Sequence, residues 1–225
     1  MAEVLPQNFP LPNESAVASY SYTDLAEGTG IRLFYGCTNE DGDGILTQNQ
    51  IYSHTIESTA LQNPPTTSYV LDLDKDFDLT AFNMPQTIKG TAYINGTFYF
   101  GTNAVGAGQS GISYIQIKLR KWDGSTETEI ANNTLTLTHT SSTTEKKLFC
   151  LDITIPETHF KIGEILRATV LIYTKVTAID SGLENFRTAF CYDPMNRDGT
   201  YIVPSTDDPV TISQFKLWIP FKLPL

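Results

Sequence analysis

The chain has 225 residues, 40% of them hydrophobic, which is enough apolar material for a substantial core. Its net charge of -10 argues against a surface that neutralises phosphates or anionic lipids, so we expect neither nucleic acid nor a membrane as a partner. Residues 1–110 carry three basic and twelve acidic side chains, whereas residues 111–225 carry twelve and thirteen. Copies of the chain therefore repel one another less through the second half, where we expect subunit contacts.

The first 30 residues predict an extended arm. They are polar, are interrupted by Pro6, Pro10 and Pro12, and show neither the basic nor the apolar region of a secretion signal. The three cysteines of the chain form an odd set without CxxC spacing, and Cys150 lies in an apolar strand-like run, which predicts buried free thiols in a chain made in a reducing cytosol. No linker divides the rest, so we expect one domain over residues 31–225.

The stretch "TNEDGDGILTQNQ" resembles the start of a calcium loop. Asn39, Asp41 and Asp43 occupy loop positions 1, 3 and 5. Position 12 is Gln50, where a helix-loop-helix calcium site needs a bidentate glutamate, and the flanking residues have strand character. We therefore expect a solvated hairpin turn. A weak structural calcium site at the three residues is the alternative, and no other cofactor is expected.

A second acidic stretch, "LDLDKDFDL", alternates aspartate with mostly apolar residues. As a strand it places Asp72, Asp74, Asp76 and Asp78 on one face. Four like charges in a row repel one another, so that face must be solvated or must hold a cation. We expect a solvated face on an edge strand, where charge discourages unwanted pairing.

Period-2 alternation dominates the rest of the chain. It is clearest in "ISYIQIKLRKW", "TLTLTHT", "KKLFCLDITIP" and "ILRATVLIYTKV", and it recurs in "IRLFYG", "SYVLDL", "GTAYINGTFYF", "RTAFCYD" and "ISQFKLWIPFKL". The third of these runs is expected to end at Pro156. Only "YTDLAEG" and "SGLENFR" suggest short helices. About ten strands separated by turns predict an all-β, antiparallel, jelly-roll-like sandwich.

Motifs for catalysis are weak. "GAGQSG" has the spelling of a dinucleotide-binding loop but precedes a strand rather than the helix that such a loop requires. There is no GxSxG or HExxH motif, and His54, His139 and His159 have no recognisable activating neighbours in sequence. We therefore expect no catalytic residues and no enzymatic activity.

The run "FKLWIPFKLPL" is apolar and carries only two lysines. Pro220 and Pro224 should keep it from forming a full central strand, which leaves apolar surface for another chain to cover. The alternative is that residues 215–219 close the sandwich as a last strand. The interface residues predicted from this run are Trp218, Phe221, Leu223 and Leu225.

Three stretches, "ASYSYTDLAEGTGIRLFYG", "TIKGTAYING" and "IPETHFKIGEILRATVLIY", resemble segments of β-sandwich structural proteins of tailed viruses of bacteria and archaea. These are the decoration, cement and minor head proteins of the capsid. The resemblance implies a non-enzymatic virion component present in many copies, with the major capsid protein or another virion protein as a partner. It transfers no functional residue. Together with the charge distribution, it leads us to expect a homo-oligomer, a trimer in particular.

The rival function is a carbohydrate-binding or receptor-binding β-sandwich. Its aromatic platform would come from Trp122, Tyr192, Tyr201 and Trp218. Two coplanar exposed rings would favour the glycan function, whereas an apolar patch that meets a copy of itself would favour assembly.

Overall fold

The computed structural model describes residues 28–62, 66–102, 111–140, 145–177, 186–197 and 213–222, and within them it contains strands and no helix. The strands are β1 (Thr29–Thr38), β2 (Gly44–Thr47), β3 (Glu57–Gln62), β4 (Val70–Leu79), β5 (Gln86–Thr102), β6 (Gly111–Trp122), β7 (Glu127–His139), β8 (Glu145–Phe160), β9 (Ile165–Val176), β10 (Phe186–Cys191) and β11 (Phe215–Lys222). The predicted all-β fold is confirmed. In these ranges no helix is long and apolar enough to cross a bilayer.

Several predicted segments lie outside the described residues. Almost all of the predicted N-terminal arm does so, since the description begins at Gly28. The predicted helix "YTDLAEG" is described only at that glycine, and "SGLENFR" only at its last two residues, which begin β10 rather than end a helix.

The eleven strands form one sheet in the order β3-β10-β5-β11-β1-β2-β4-β9-β6-β7, with β8 on the other edge of β5. All ladders are antiparallel except the short parallel contact between β2 and β4. The two halves of this sheet face each other across one core. Phe77 of β4, for example, lies 5.1 Å from Phe215 of β11 and 6.3 Å from Phe190 of β10, measured between ring centroids.

Alternation places the apolar residues in that core, as the sequence predicted. In β6, Ile115, Ile117 and Leu119 are fully buried, whereas the residues between them are partly exposed. In β9, the run from Val170 to Ile172 is buried on both faces, which agrees with its position between β4 and β6. The short strand β3 is the one element that no predicted run covered.

The structure contradicts the expectation that Pro220 keeps the last run out of the sheet centre. Strand β11 pairs with β1 on one side and with β5 on the other, so the closing-strand alternative is correct. Proline is tolerated because the β11–β5 register shifts between Trp218 and Phe221, and a missing N–H costs little where a ladder is interrupted.

A second proline is accommodated in a similar way. Strand β8 does not end at Pro156 but continues to Phe160. The register between β8 and β5 shifts between two pairs of residues: Ile88 pairs with Thr158, and Gly90 pairs with Ile155. Gly90 has a φ of 120°, a backbone conformation that side-chain-bearing residues rarely adopt. One irregularity in β5 therefore lies between a proline on each neighbouring strand.

We predict that Gly90→Ala lowers the free energy of unfolding by about 1–3 kcal/mol, because alanine is strained at this positive φ. Thr91→Ala, one residue further along the same strand, is the matched control and should change it by less than about 0.5 kcal/mol. Urea denaturation of both variants checks this. Equal losses in the two variants would show that the glycine conformation is not the cause.

Candidate interaction surfaces

Residues 39–43 form the turn of the β1–β2 hairpin. The Asn39 backbone N–H donates to the Asp43 carbonyl at 3.0 Å, and the Asp43 N–H donates to Asn39 Oδ1 at 2.8 Å. Lys75 Nζ donates to the Gly42 carbonyl at 2.7 Å. The side-chain oxygen of Asn39 is thus engaged by the turn, and the ammonium group of Lys75 binds a backbone carbonyl of the same turn. The described residues contain no cluster of His, Cys, Asp or Glu able to hold a metal ion.

We predict that calcium shifts the melting temperature by less than about 1 °C, because Lys75 opposes cation binding and Gln50 replaces the bidentate glutamate. Differential scanning fluorimetry with calcium and with magnesium measures this. A rise of several degrees with calcium that disappears in the Asp41→Ala/Asp43→Ala variant would establish the site at Asn39, Asp41 and Asp43.

Two of the four aspartates of β4 are paired with an arginine rather than simply solvated. Arg167 of β9 binds Asp78 in a bidentate pair, with Nε–Oδ1 at 2.6 Å and Nη2–Oδ2 at 2.7 Å. Its Nη1 also lies 3.3 Å from Asp76 and 3.1 Å from Glu127. The guanidinium carbon is 5.0 Å from the centre of the Trp122 ring. The cation that the row requires is therefore part of the chain.

The edge position expected for β4 holds over most of the strand, because β9 pairs with it from Val70 to Asp78 whereas β2 pairs only with Asp78 and Leu79. A register shift between Leu71 and Leu73 breaks the expected alternation, and Asp72 accepts a hydrogen bond from Thr174, which is buried. Partial burial, together with the nearby charge of Asp76, raises the pKa of Asp74.

We predict that Arg167→Met lowers the free energy of unfolding at neutral pH by about 2 kcal/mol, less than for a fully buried pair because its partners remain partly hydrated. The loss should shrink at about pH 3, where carboxylates take up protons. Lys161→Met removes one positive charge from an exposed turn and is the control. Denaturation at both pH values measures the effect, and a loss independent of pH would contradict the electrostatic cause.

An exposed aromatic patch lies where β4, β6 and β9 run side by side. Its members, which we call the tyrosine patch, are Tyr69, Leu71, Tyr114 and Tyr173. The ring of Tyr114 lies 6.1 Å from that of Tyr69 and 5.9 Å from that of Tyr173. Leu71 is 45% exposed and pairs directly with Tyr173. Large apolar groups that lie together at a surface are typical of interaction sites.

The opposite half of the sandwich carries a groove across β1, β11 and β5. It has a volume of about 600 Å³, and the residues that define this lysine groove are Thr29, Ile31, Lys89, Tyr93, Pro220 and Lys222. Glu157 Oε2 lies 3.2 Å from Lys89 Nζ and 2.9 Å from Lys222 Nζ. These hydrogen bonds, that of Lys222 first, lower the pKa of Glu157. The groove therefore carries a small excess of positive charge.

Of the four predicted interface residues, the structure describes Trp218 and Phe221. Trp218 is half-buried and lies opposite Leu33 and Tyr93 in the two neighbouring ladders. Phe221 is 1% exposed and belongs to the core, so it presents no surface to another chain. Leu223 and Leu225 lie outside the described residues.

The predicted glycan platform does not form from the residues proposed for it. Tyr192 is buried, and its hydroxyl is hydrogen-bonded to Ser58 and Thr55. Trp122 lies at the end of β6, in the half of the sheet away from Trp218. Tyr201 lies outside the described residues.

The histidines and cysteines are dispersed. His54 is exposed, whereas His139 is buried and stacks on Phe100 at 5.3 Å. His159 Nδ1 is hydrogen-bonded to the Thr87 hydroxyl at 2.8 Å, but its Nε2 lies 3.7 Å from Glu157, beyond hydrogen-bond distance. His159 is 71% exposed and makes no hydrogen bond to the Glu157 carboxylate, so the pair does not meet the geometry of a catalytic triad.

All three cysteines are free, as the sequence predicted. Cys37 and Cys191 are buried, and burial raises the pKa of each thiol to about 12. Such thiols are inert, because the thiolate is the nucleophile. Cys150 is exposed on β8, so the expectation that it is buried is wrong: it alternates with the inward-facing Phe149 and Leu151.

Comparisons with known proteins support the fold. No family model and no curated protein matches the chain. Among solved structures, an α-amino acid ester hydrolase matches with a TM-score of 0.53 at 10% identity, over 84% of this chain and 36% of that one. An aminopeptidase from a marine sediment Thaumarchaeota archaeon matches with a TM-score of 0.51 at 10% identity, over 87% and 37%. The chain thus spans little more than a third of each enzyme.

A chain of the T13 IBDV viral particle also matches, with a TM-score of 0.33 at 10% identity, over 86% of this chain and 45% of that one. At such identities the similarities show a shared β fold alone, and at this TM-score the viral match carries no functional argument.

Proposed function

We propose that the chain is a non-enzymatic structural protein of a virus particle that assembles with copies of itself through the tyrosine patch. The observation that carries the proposal is this patch, in which Tyr69 and Leu71 are each more than 40% exposed beside Tyr114 and Tyr173. Tyrosine contributes a large contact area and loses little conformational entropy on binding. The sequence resemblance described above supplies the particle context.

A second copy of the chain is the occupant that the charges favour. Lys175 Nζ lies 4.3 Å from the centre of the Tyr69 ring. Along β9, Lys175 lies two positions after Tyr173. On the other side of Tyr173, Asp74 of β4 pairs with Leu171, two positions before it. The patch therefore has a basic end and an acidic end. A head-to-tail contact brings Lys175 of one copy to Asp74 of the next, and such heterologous contacts form a closed ring when the rotation between copies divides a full turn evenly.

Three copies around one axis then form the trimer expected above, with a contact that uses residues of both halves of the sequence rather than of the second half alone. The chain is made in the host cytoplasm and is incorporated with the major capsid protein or another virion protein. In this role it acts by shape and multivalent contact as a decoration, cement or minor head protein.

The test is the mass of the purified protein in solution. We predict that the full chain elutes as three copies of the 25.0 kDa subunit, and that Leu71→Asp elutes as a folded monomer because it adds a charge at the contact. The matched control is Ile162→Asp, at a site 67% exposed in the turn between β8 and β9, which should remain trimeric. Size-exclusion chromatography with light scattering distinguishes a trimer from a monomer for each of the three proteins.

A monomeric full-length protein at tens of micromolar, or an unchanged mass for Leu71→Asp, would refute assembly through this patch. The particle role is tested separately, by expressing each variant during virus production and quantifying the chain by mass spectrometry in gradient-purified particles. Absence of the unmodified chain from those particles would refute it.

A further inference from the structure

We propose that the lysine groove binds an acidic saccharide, that is, a hydroxylated sugar ring that carries one carboxylate. This inference goes beyond the assembly role. The groove and the tyrosine patch lie on different halves of the sandwich, so either proposal can fail without the other.

The irregular part of β5 shapes the groove. Gly90 and Pro220 form part of its lining, and a Cβ added at Gly90 would lie 3.5 Å from the proline ring. The lack of a side chain at Gly90 therefore keeps the bottom of the groove open. Ile31 and Pro220 make the bottom of the groove apolar. Tyr93 is 47% exposed at the groove and offers a ring face. The volume of about 600 Å³ lies in the usual range for small-molecule sites.

The charges of the groove suit a single anion. Lys89 and Lys222 share the carboxylate of Glu157, which leaves one net positive charge on the three groups. This local excess belongs to a chain whose net charge is -10, so it stands out from its surroundings. One ligand carboxylate would neutralise it, whereas a polyphosphate would be repelled by the rest of the protein.

The other groups favour a sugar over a peptide. Thr29 and Thr91 bring hydroxyl groups to the groove, and aromatic rings such as that of Tyr93 pack against the apolar face of a sugar ring. A peptide strand would need unpaired backbone groups to extend the sheet. Strands β11 and β5 offer few here, because each is already paired on both sides.

The experiment is isothermal titration calorimetry of the full chain with a glucuronate-containing disaccharide and with its carboxyl-reduced, neutral counterpart. We expect the acidic sugar to bind at least about tenfold more tightly, because only it engages both lysines. The affinity should fall as salt is added, since the lysines are exposed.

Three groove variants give the signature of the site. Tyr93→Ala should weaken binding of the acidic sugar about tenfold, and Lys89→Met/Lys222→Met should remove the preference for the acidic over the neutral sugar. Glu157→Gln should strengthen binding several-fold, because it removes the carboxylate that competes with the ligand. The matched controls are Tyr52→Ala, at another exposed tyrosine, and Lys161→Met, and both should bind as the unmodified chain does.

Each remaining outcome overturns the proposal. Equal affinity for the two sugars refutes the role of the lysines, and unchanged affinity in Tyr93→Ala refutes the stacking surface. No binding of either sugar by the folded protein refutes the site. Tighter binding of a hexa-aspartate peptide or of inorganic phosphate, lost in the double lysine variant, assigns the groove to another class of anion. Circular dichroism confirms that each variant is folded.

Discussion

Strand β5 has two edges and three partners, and this constraint shapes the molecule. Strand β8 occupies one edge along nearly the whole of β5, while β11 and then β10 share the other. Twist accumulates along the seventeen residues of this strand, which makes it hard to keep a regular register with all three partners. The irregularity falls at Gly90, the residue whose φ of 120° tolerates it. Bulges of this kind re-aim side chains near functional sites.

The irregularity and the charges together divide the surface into two different halves. Beside Gly90 the strands place lysines and a tyrosine around a groove. On the opposite half, the acidic row of β4 is held by Arg167, which binds Asp78 and also approaches Asp76 and Glu127. This pairing compensates the carboxylates at the end of β4 that β2 joins. The tyrosine patch lies at the other end of the same strand, beside Leu71.

Much of the fold could be predicted from the sequence because alternation is a local signal. It located the strands with buried faces, such as β6 and β9, and failed for β3, which is short. The errors at Pro156 and Pro220 have a common cause. A proline is incompatible with a sheet only where its ladder is regular, and the register of a ladder is set by residues far away in the chain.

The surfaces were harder to predict for the same reason. The partner of Asp78 lies 89 residues away, so no local pattern in "LDLDKDFDL" could reveal it. The tyrosine patch left a weak trace, since Tyr114 and Tyr173 occupy outward positions of two strongly alternating runs. Only the order of β4, β9 and β6 shows that they converge with Tyr69. Phe221 illustrates the reverse case, in which an apolar residue beside a proline resembles a surface contact but completes the core.

The position of β11 has a consequence for how the protein is made. This strand is the last one described along the chain, yet it inserts between β1 and β5, two of the earlier ones. While the nascent chain is still on the ribosome, those two strands each present an open edge towards the gap that β11 will fill. Open edges of apolar strands are templates for pairing with other chains. A fragment that ends before β11 therefore keeps both of these edges open, and we expect it to aggregate rather than to fold as a smaller domain.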